Sequence, residues 1–463
     1  MKKLLRNAAV FWDGKMQDLD VLISDSGMAV FGRSPSTPAS SMESFAAFAK
    51  ASAGAEMVDC QGCVILPGFA DVHVHFREPG FSYKGTVLTE SRAAARGGFT
   101  CALTMPNLEP APSDLDGVRA QLDIIERDAV INVIPFGTIT KLRDGRSALS
   151  DMEAIAPYVC GYSDDGCGVQ TAELMRDAME VCASLGKIIS AHCEDESLVG
   201  GTACHDGPYA RSIGIQGISS ASEWRQIERD VKLADETGCA YHVCHISTRE
   251  GVEIIRDAQR SGVNVTCETG PHYLALTDQA LARFDKNDPR IGRFKMYPPL
   301  REEADRQELI RGLKDGTVSM IATDHAPHSA EEKSRGLLKS ANGVVGLETA
   351  FAVLYTTLVK PGILPLPVLV DRMALLPRER FDLPGAEAWD IITSRSPRAP
   401  LPQDPALPWY PASDLTVIDV SKPYRIDPAE FVGKGHSTPF EDMEVYGRTR
   451  MTFLAGKCVY DGR

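Results

Sequence analysis

From Pro67 to about Arg395, short apolar runs alternate with helix-type segments, and this alternation constrains the fold more than any other feature of the chain. The runs are DVHVHF, TCALTM, INVIPFGTI, YVCGYS, KIISAHC, AYHVCHIS, NVTCETG and VSMIATD. Eight strand candidates separated by helices predict an α/β chain whose parallel sheet closes on itself, a (β/α)8 TIM-like barrel. Local signals agree with helices in between. AELMRDAMEVCASLG puts Leu174, Ala178, Cys182 and Leu185 at helical spacing ahead of Gly186, and Ser220-Ala-Ser-Glu223 and Ser247-Thr-Arg-Glu250 match the S/T-x-x-E capping box.

The flanks read differently. Residues 1–66 carry short β-type runs, LDVLISD and CVILPG, around a Ser/Ala/Pro-rich stretch from Ser34 to Ala55 that reads as an insertion. Residues 396–463 begin with a Pro-rich stretch, Pro397 to Pro411, too rich in proline for a helix or central strand, and continue as DLTVIDV and MTFLAGKCVY. The two ends are expected to pair as one small β-domain beside a barrel of residues 67–395, since domain termini tend to lie close together.

Composition narrows the function. With 49 Lys+Arg against 63 Asp+Glu the formal charge is −14, and no Lys/Arg-rich run interrupts it. Nucleic acid and anionic membrane are therefore poor main partners, and a small anionic ligand needs a local positive site. The cysteines are scattered through apolar runs, as at Cys182, Cys244 and Cys267, which reads as buried free thiols in a reducing cytoplasm. Cys60 and Cys63 form a lone C-x-x-C whose Gln61-Gly62 reads as a tight turn. The start, MKKLLRNAAVFWDGK, is broken by Arg6, Asn7 and Asp13-Gly14-Lys15 and reads as neither a signal peptide nor a spanning helix.

Chemistry-bearing residues gather at the strand ends. His73 and His75 are two apart in DVHVHF, so both face one side of the strand, here the barrel interior. Two imidazoles on one face make half a metal site. His192 ends KIISAH, His245 ends AYHVCH and Asp324 ends VSMIATD, all at the C-terminal strand ends where barrel enzymes place their active sites. Asp164 and Asp165 follow YVCGYS at the end of a fourth strand, and either could face inward. Four histidines and two carboxylates supply enough nitrogen and oxygen ligands for two zinc-like ions. Arg77 follows the histidine pair by two, shares its phase, and offers a planar fork to a carboxylate. His205, His242, His272 and His436 lack this combination of strand end and phase, and His242 is assigned to packing.

DVHVHFREPG, TMPN, SDDGCGVQ, SAHCED, HVCHIST, ETGPHYL, FKMYPPLR, TDHAPHSAEEK and VVGLETAF, in this order and spacing, resemble the type I dihydroorotases of the amidohydrolase superfamily, and the likeness continues into KGHSTPF. The resemblance implies two zinc ions per chain held by His73, His75, Asp165, His192, His245 and Asp324. Asp165 is preferred to Asp164 because its 27-residue interval to His192 matches the family spacing. Hydantoinases and allantoinases often carry a carboxylated lysine on the fourth strand, whereas GYSDDG has no lysine. The resemblance further implies that Asn107 and His328 join Arg77 around the substrate carboxylate. Two positions depart from the family pattern: Tyr297 stands where FKMNPPLR is usual, and Asn342-Gly343 where a Phe-Gly pair usually contacts the ring.

The implied reaction is the reversible cyclisation of N-carbamoyl-L-aspartate to dihydroorotate in pyrimidine biosynthesis, with Asp324 as acid/base. Two other readings are weighed beside it. One is a related cyclic amidohydrolase acting on a hydantoin, allantoin or another ureide, supported by Tyr297 and opposed by the missing lysine and by Arg77. The other is a catalytically silent partner of aspartate transcarbamoylase, as some members of the family are; retention of all six ligands argues against silence. A small-molecule substrate is the expected partner, with a homo-oligomer and association with aspartate transcarbamoylase as further expectations of the resemblance.

Overall fold

The structure is a computed structural model that describes residues 2–32, 42–385, 389, 409–411 and 413–463. Strands β1 (Lys3–Trp12), β2 (Lys15–Ser24) and β3 (Gly27–Gly32) form an antiparallel meander. Asp13-Gly14 joins the first two with φ of 53° and 70°, the paired left-handed geometry whose twist matches a two-residue hairpin. Part of the stretch expected as an insertion is instead a helix, Met42–Ala51, which sets Phe48 against Leu22 and Ala29 of the meander; residues 34–41 lie outside the described residues. Strands β4 (Glu56–Asp59) and β5 (Cys63–Pro67) follow. Between them Gln61-Gly62 is the expected turn, closed by a hydrogen bond from Cys63 N to Cys60 O (2.9 Å). All twelve cysteines are free.

The next seven strands are parallel: β6 (Phe69–Val74), β7 (Phe99–Thr104), β8 (Asn132–Pro135), β9 (Ile188–Ala191), β10 (Ala240–Val243), β11 (Val265–Thr269) and β12 (Met320–Ile321). They make a sheet in the order β6-β7-β8 and another in the order β12-β11-β10-β9. YVCGYS, expected as a full strand, contributes a single bridge residue. Tyr162 bridges Gly137 and Ile189 in parallel, with Tyr162 N donating to Ile188 O (3.0 Å) and Ser190 N to Tyr162 O (2.9 Å). The run cannot lengthen because the chain turns directly after it, where Asp164 takes the backbone N–H groups of Ile139 and Thr140 (2.8 and 3.1 Å). At the opposite edges His325 bridges Val74 in parallel.

Strands β13 (Trp409–Tyr410), β14 (Leu415–Arg425), β15 (Glu444–Leu454) and β16 (Lys457–Asp461) return to the first strands. The resulting nine-stranded sheet runs β13-β3-β2-β1-β5-β14-β15-β16, with β4 on β1. The described end of the Pro-rich stretch, β13, occupies an edge, where proline's missing donor matters least; residues 397–408 and the boundary expected at 396 lie outside the described residues. Among the described residues no helix is long and apolar enough to cross a membrane.

Two helix starts depart from expectation. Ser220 makes no capping side-chain bond. Glu223, expected to cap its own helix, instead accepts from Ser247 N (2.9 Å), Thr248 N (2.9 Å) and both hydroxyls of that pair. The next helix, Arg249–Arg260, is capped by Thr248, whose hydroxyl accepts from Gly251 N. Four orphan donors in the loop after β10 outcompete the two of a capping box, and they fix the loop that follows His245.

Candidate active site

The ladder bonds end where the reactive side chains begin. His192 directly follows β9, and His245 and Asp324 lie just past β10 and β12. His245, Asp324 and Arg77 adopt positive φ of 33°, 47° and 66°, unusual for residues other than glycine and most often tolerated where a site is built. Asp71 locks the two outer contributors together: it accepts from His73 N (3.1 Å), Thr323 N (3.2 Å) and Thr323 Oγ1 (2.6 Å).

Asp165 is the common centre. Its Oδ1 lies 3.3 Å from His73 Nε2, 3.6 Å from His192 Nδ1 and 3.4 Å from His245 Nε2, and its Oδ2 lies 3.5 Å from His75 Nε2. Asp324 Oδ1 is 3.1 Å from His75 Nε2 and 3.6 Å from His73 Nε2. Asp164 faces away, its carboxylate occupied by the amides of Ile139, Thr140 and Gly145 (3.3 Å for the last) and by the Thr140 hydroxyl. The six residues expected as ligands therefore converge, and the alternative aspartate does not join them. All six are buried.

Electrostatics sharpen the arrangement. Burial opposes charge at both His73 and Asp165, yet their attraction prevails: His73 is held well above the ordinary imidazole range and Asp165 well below the carboxylate range. Burial, with Arg77 adding to it, holds His75 well below its ordinary value. Asp324 is pushed up to about 7 by burial, with His73 pulling down, Asp165 pushing up and Arg77 pulling down.

Sequence phase alone missed what stands behind His73. Its Nδ1 donates to Glu268 Oε1 (2.8 Å), while Glu268 Oε2 accepts from His242 Nε2 (3.0 Å) and His242 Nδ1 accepts from the Thr266 hydroxyl (2.8 Å). These bonds overcome burial and hold Glu268 down at about 2. His242, assigned to packing, thus orients the carboxylate that turns His73 Nε2 toward Asp165. Glu268 carries the same strand-end signal in NVTCETG as the histidines do in their runs. Glu194, 3.2 Å from His192 Nε2, and Arg143, whose guanidinium donates to Asp165 O (2.6 Å), had no such signal.

A cationic and polar set of residues adjoins the cluster. Arg77 Nε donates to Pro327 O (3.2 Å), and its Nη2 lies 3.4 Å from His328 Nε2. Burial lowers Arg77 to about 10, which leaves it charged. His328 Nε2 donates to Asn342 O (2.7 Å) and its Nδ1 accepts from Lys84 Nζ (3.2 Å); burial, Arg77 and Lys84 push it down to about 3, so it is neutral. Asn107 Nδ2 donates to Asp165 O (2.8 Å), leaving its Oδ1 buried without a partner. Tyr297 stacks on His192 (centroids 5.8 Å apart, 11° between planes), and burial with the Glu194 carboxylate raises its phenol above the ordinary value. Gly343 has φ of 126°, and a Cβ there would meet Ala326 Cβ at 2.7 Å, so only glycine fits. Arg77, Asn107, Tyr297, His328, Asn342 and Gly343 line a cavity of about 190 Å3 together with His75, Asp165, His192, His245 and Asp324.

The donor set suits divalent cations. Among the described residues His73, His75 and Asp165 form one group, and Asp165, His192 and His245 another, each with ligand atoms within 4.8 Å of one another. Asp165 belongs to both. His73 Nε2 and Asp165 Oδ1 are buried without a hydrogen-bond partner, a costly arrangement unless something else satisfies them. The same field that holds a proton on His73 attracts a dication in its place.

Known proteins resemble the chain at this level. Residues 62–251 match a family model described as dihydro-orotase-like. A dihydroorotase of Fusobacterium nucleatum is 43% identical over 99% of this chain and 98% of its own length, and one of Bacillus licheniformis 42% identical over 89% and 91%. A dihydroorotase of Staphylococcus aureus is 38% identical over 99% of both chains. In fold, the chain superposes on an L-hydantoinase (dihydropyrimidinase) from Arthrobacter aurescens with a TM-score of 0.79 at 22% identity, covering 100% of this chain and 96% of that one. A dihydropyrimidinase from Brevibacillus agri gives 0.76 at 21% identity, covering 100% and 95%. Full-length likeness to these relatives, in a chain that gathers histidines and aspartates beside a buried arginine, makes it a member of the dihydroorotase family.

Proposed function

We propose that this chain is a zinc-dependent dihydroorotase of the type I class, catalysing the reversible cyclisation of N-carbamoyl-L-aspartate to dihydroorotate. The observation that carries the reading is one cavity lined both by a His/Asp cluster centred on Asp165 and by Arg77, His328 and Asn107. In this reading residues 67–395 are a (β/α)8 barrel, supported by the parallel pairings that run from β6 through Tyr162 to β12 and back by way of His325. Residues 1–66 and 396–463 make the small β-domain, supported by the sheet their strands share.

His73, His75, Asp165, His192, His245 and Asp324 would hold two zinc ions. Such ions supply Lewis acidity, polarising a carbonyl and making water a stronger acid near neutral pH. The chain's own residues do the rest. Arg77, with Asn107 and His328, binds the substrate carboxylate and fixes the ring amide against Asp324; Tyr297, Asn342 and Gly343 face the ring. Asp324 takes the proton of the attacking water and delivers it to the amide nitrogen as the C–N bond breaks. In reverse it takes the ureido N–H proton as that nitrogen closes on the side-chain carboxyl carbon, and delivers it to the oxygen that departs as water.

The test is a side-by-side assay of the purified protein on dihydroorotate, hydantoin and allantoin, with metal content measured on the same sample. Turnover of hydantoin or allantoin without dihydroorotate would overturn the substrate assignment. Arg77→Lys keeps the charge and loses the fork, so affinity for dihydroorotate should fall by about 1–3 kcal/mol, with uncharged hydantoin, if turned over, far less affected. Equal losses in KM on both substrates would remove Arg77 from carboxylate binding. Tyr297→Asn restores the usual family residue and should tighten dihydroorotate binding by about 0.5–1.5 kcal/mol, one neutral hydrogen bond. Weaker binding in that variant would instead make the phenol, stacked on His192, a working part of the pocket.

A further inference from the structure

Lys333 lies at the end of a short helical turn, Ala330–Lys333, and is 4% exposed. Its ammonium has three N–H donors, and three backbone carbonyls receive them: Gly343 O at 2.6 Å, Ala341 O at 2.7 Å and Lys295 O at 3.0 Å. Among the described residues no carboxylate forms an ion pair with it; burial, with Lys295 adding to it and Glu332 opposing, lowers Lys333 to about 7, so the three carbonyls are its direct partners. Lys295 O also accepts from Gly343 N (3.1 Å), which closes the two loops on each other around the ammonium. The turn itself is pinned from both sides. Ser329 and Glu332 form a reciprocal capping box, Glu332 O accepts from Ala341 N (3.0 Å), and Glu332 pairs with the Lys84 that donates to His328.

The loops so joined are the ones that bring Tyr297, Asn342 and Gly343 to the cavity wall. We infer that Lys333 is a positioning residue for substrate specificity: its ammonium clamps the loops 295–297 and 341–343 into the wall that reads the substrate ring, without touching the substrate or the His/Asp cluster. The inference rests on the dihydroorotase reading and deepens it. It makes the shape of the ring-binding wall depend on one buried lysine that neither strand phase nor carboxylate binding requires.

The experiment uses the full-length, metal-loaded protein with Lys333→Met, which keeps the stem and removes all three donors, and Lys333→Gln, which keeps a shorter polar group. Wild-type turnover of dihydroorotate is measured first, so that failure of the function reading is seen separately. With metal content unchanged, Lys333→Met should raise KM for dihydroorotate about tenfold while kcat stays within about threefold, the pattern of lost binding rather than lost chemistry. Amide hydrogen exchange should quicken in 295–297 and 341–343 and stay unchanged in β9 and β10, with Lys333→Gln intermediate in both measures. Unaltered KM and exchange would overturn the inference. So would a fall in kcat at constant KM, or loss of the folded state in both variants, which would make Lys333 a residue of the fold as a whole.

Discussion

Asp324→Asn should leave the chain folded and lower turnover of dihydroorotate by a factor of about 10² or more, the range for removing a positioned acid/base group. The substitution isolates the proton. Asparagine keeps the shape and one oxygen, and it tolerates the left-handed backbone of this position (φ 47°) as aspartate does, whereas alanine would add strain. What it cannot do is exchange a proton, the property on which the proposed acid/base role rests. In the proposed metal site the substitution also removes an oxygen 3.1 Å from His75 Nε2 and would weaken one metal, so kcat is to be measured on samples of known metal stoichiometry. Near-normal turnover at equal metal content would exclude Asp324 from proton transfer.

Adjacent aspartates should fail in opposite ways. Asp165→Ala removes the carboxylate that four imidazoles face at 3.3 to 3.6 Å, so metal should be lost and activity with it, while chelation of the wild type should abolish activity in the same manner. Asp164→Ala leaves the amides of Ile139, Thr140 and Gly145 without their acceptor. Each unsatisfied buried donor costs about 1–3 kcal/mol, so the variant should lose stability, seen as a lower Tm, and bind metal in whatever fraction folds. Metal stoichiometry and Tm measured on both variants decide the matter. Equal loss of metal from folded Asp164→Ala would contradict the assignment, and full activity in a metal-free preparation would overturn the metal reading altogether.

What depends on neighbours along the chain was legible from residue order alone. Period-two phase put His73 and His75 on one side, and apolar runs closing in His192, His245 and Asp324 marked strand ends, because side-chain direction within one strand follows from covalent geometry. Seven of the eight expected runs form strands; YVCGYS does not, since the turn held by Asp164 cuts it to a bridge at Tyr162. The choice between Asp164 and Asp165 needed family spacing, for the phase of a residue beyond a one-residue bridge is set by the turn and not by the strand. Packing, by contrast, sets Glu223 off its own helix and onto Ser247 and Thr248, places His242 to steady Glu268 behind His73, and lets Lys333 close two loops on each other. In each case a buried polar group must find a partner wherever the packed chain supplies one. That partner lies on another element, tens of residues away, and no local period encodes it.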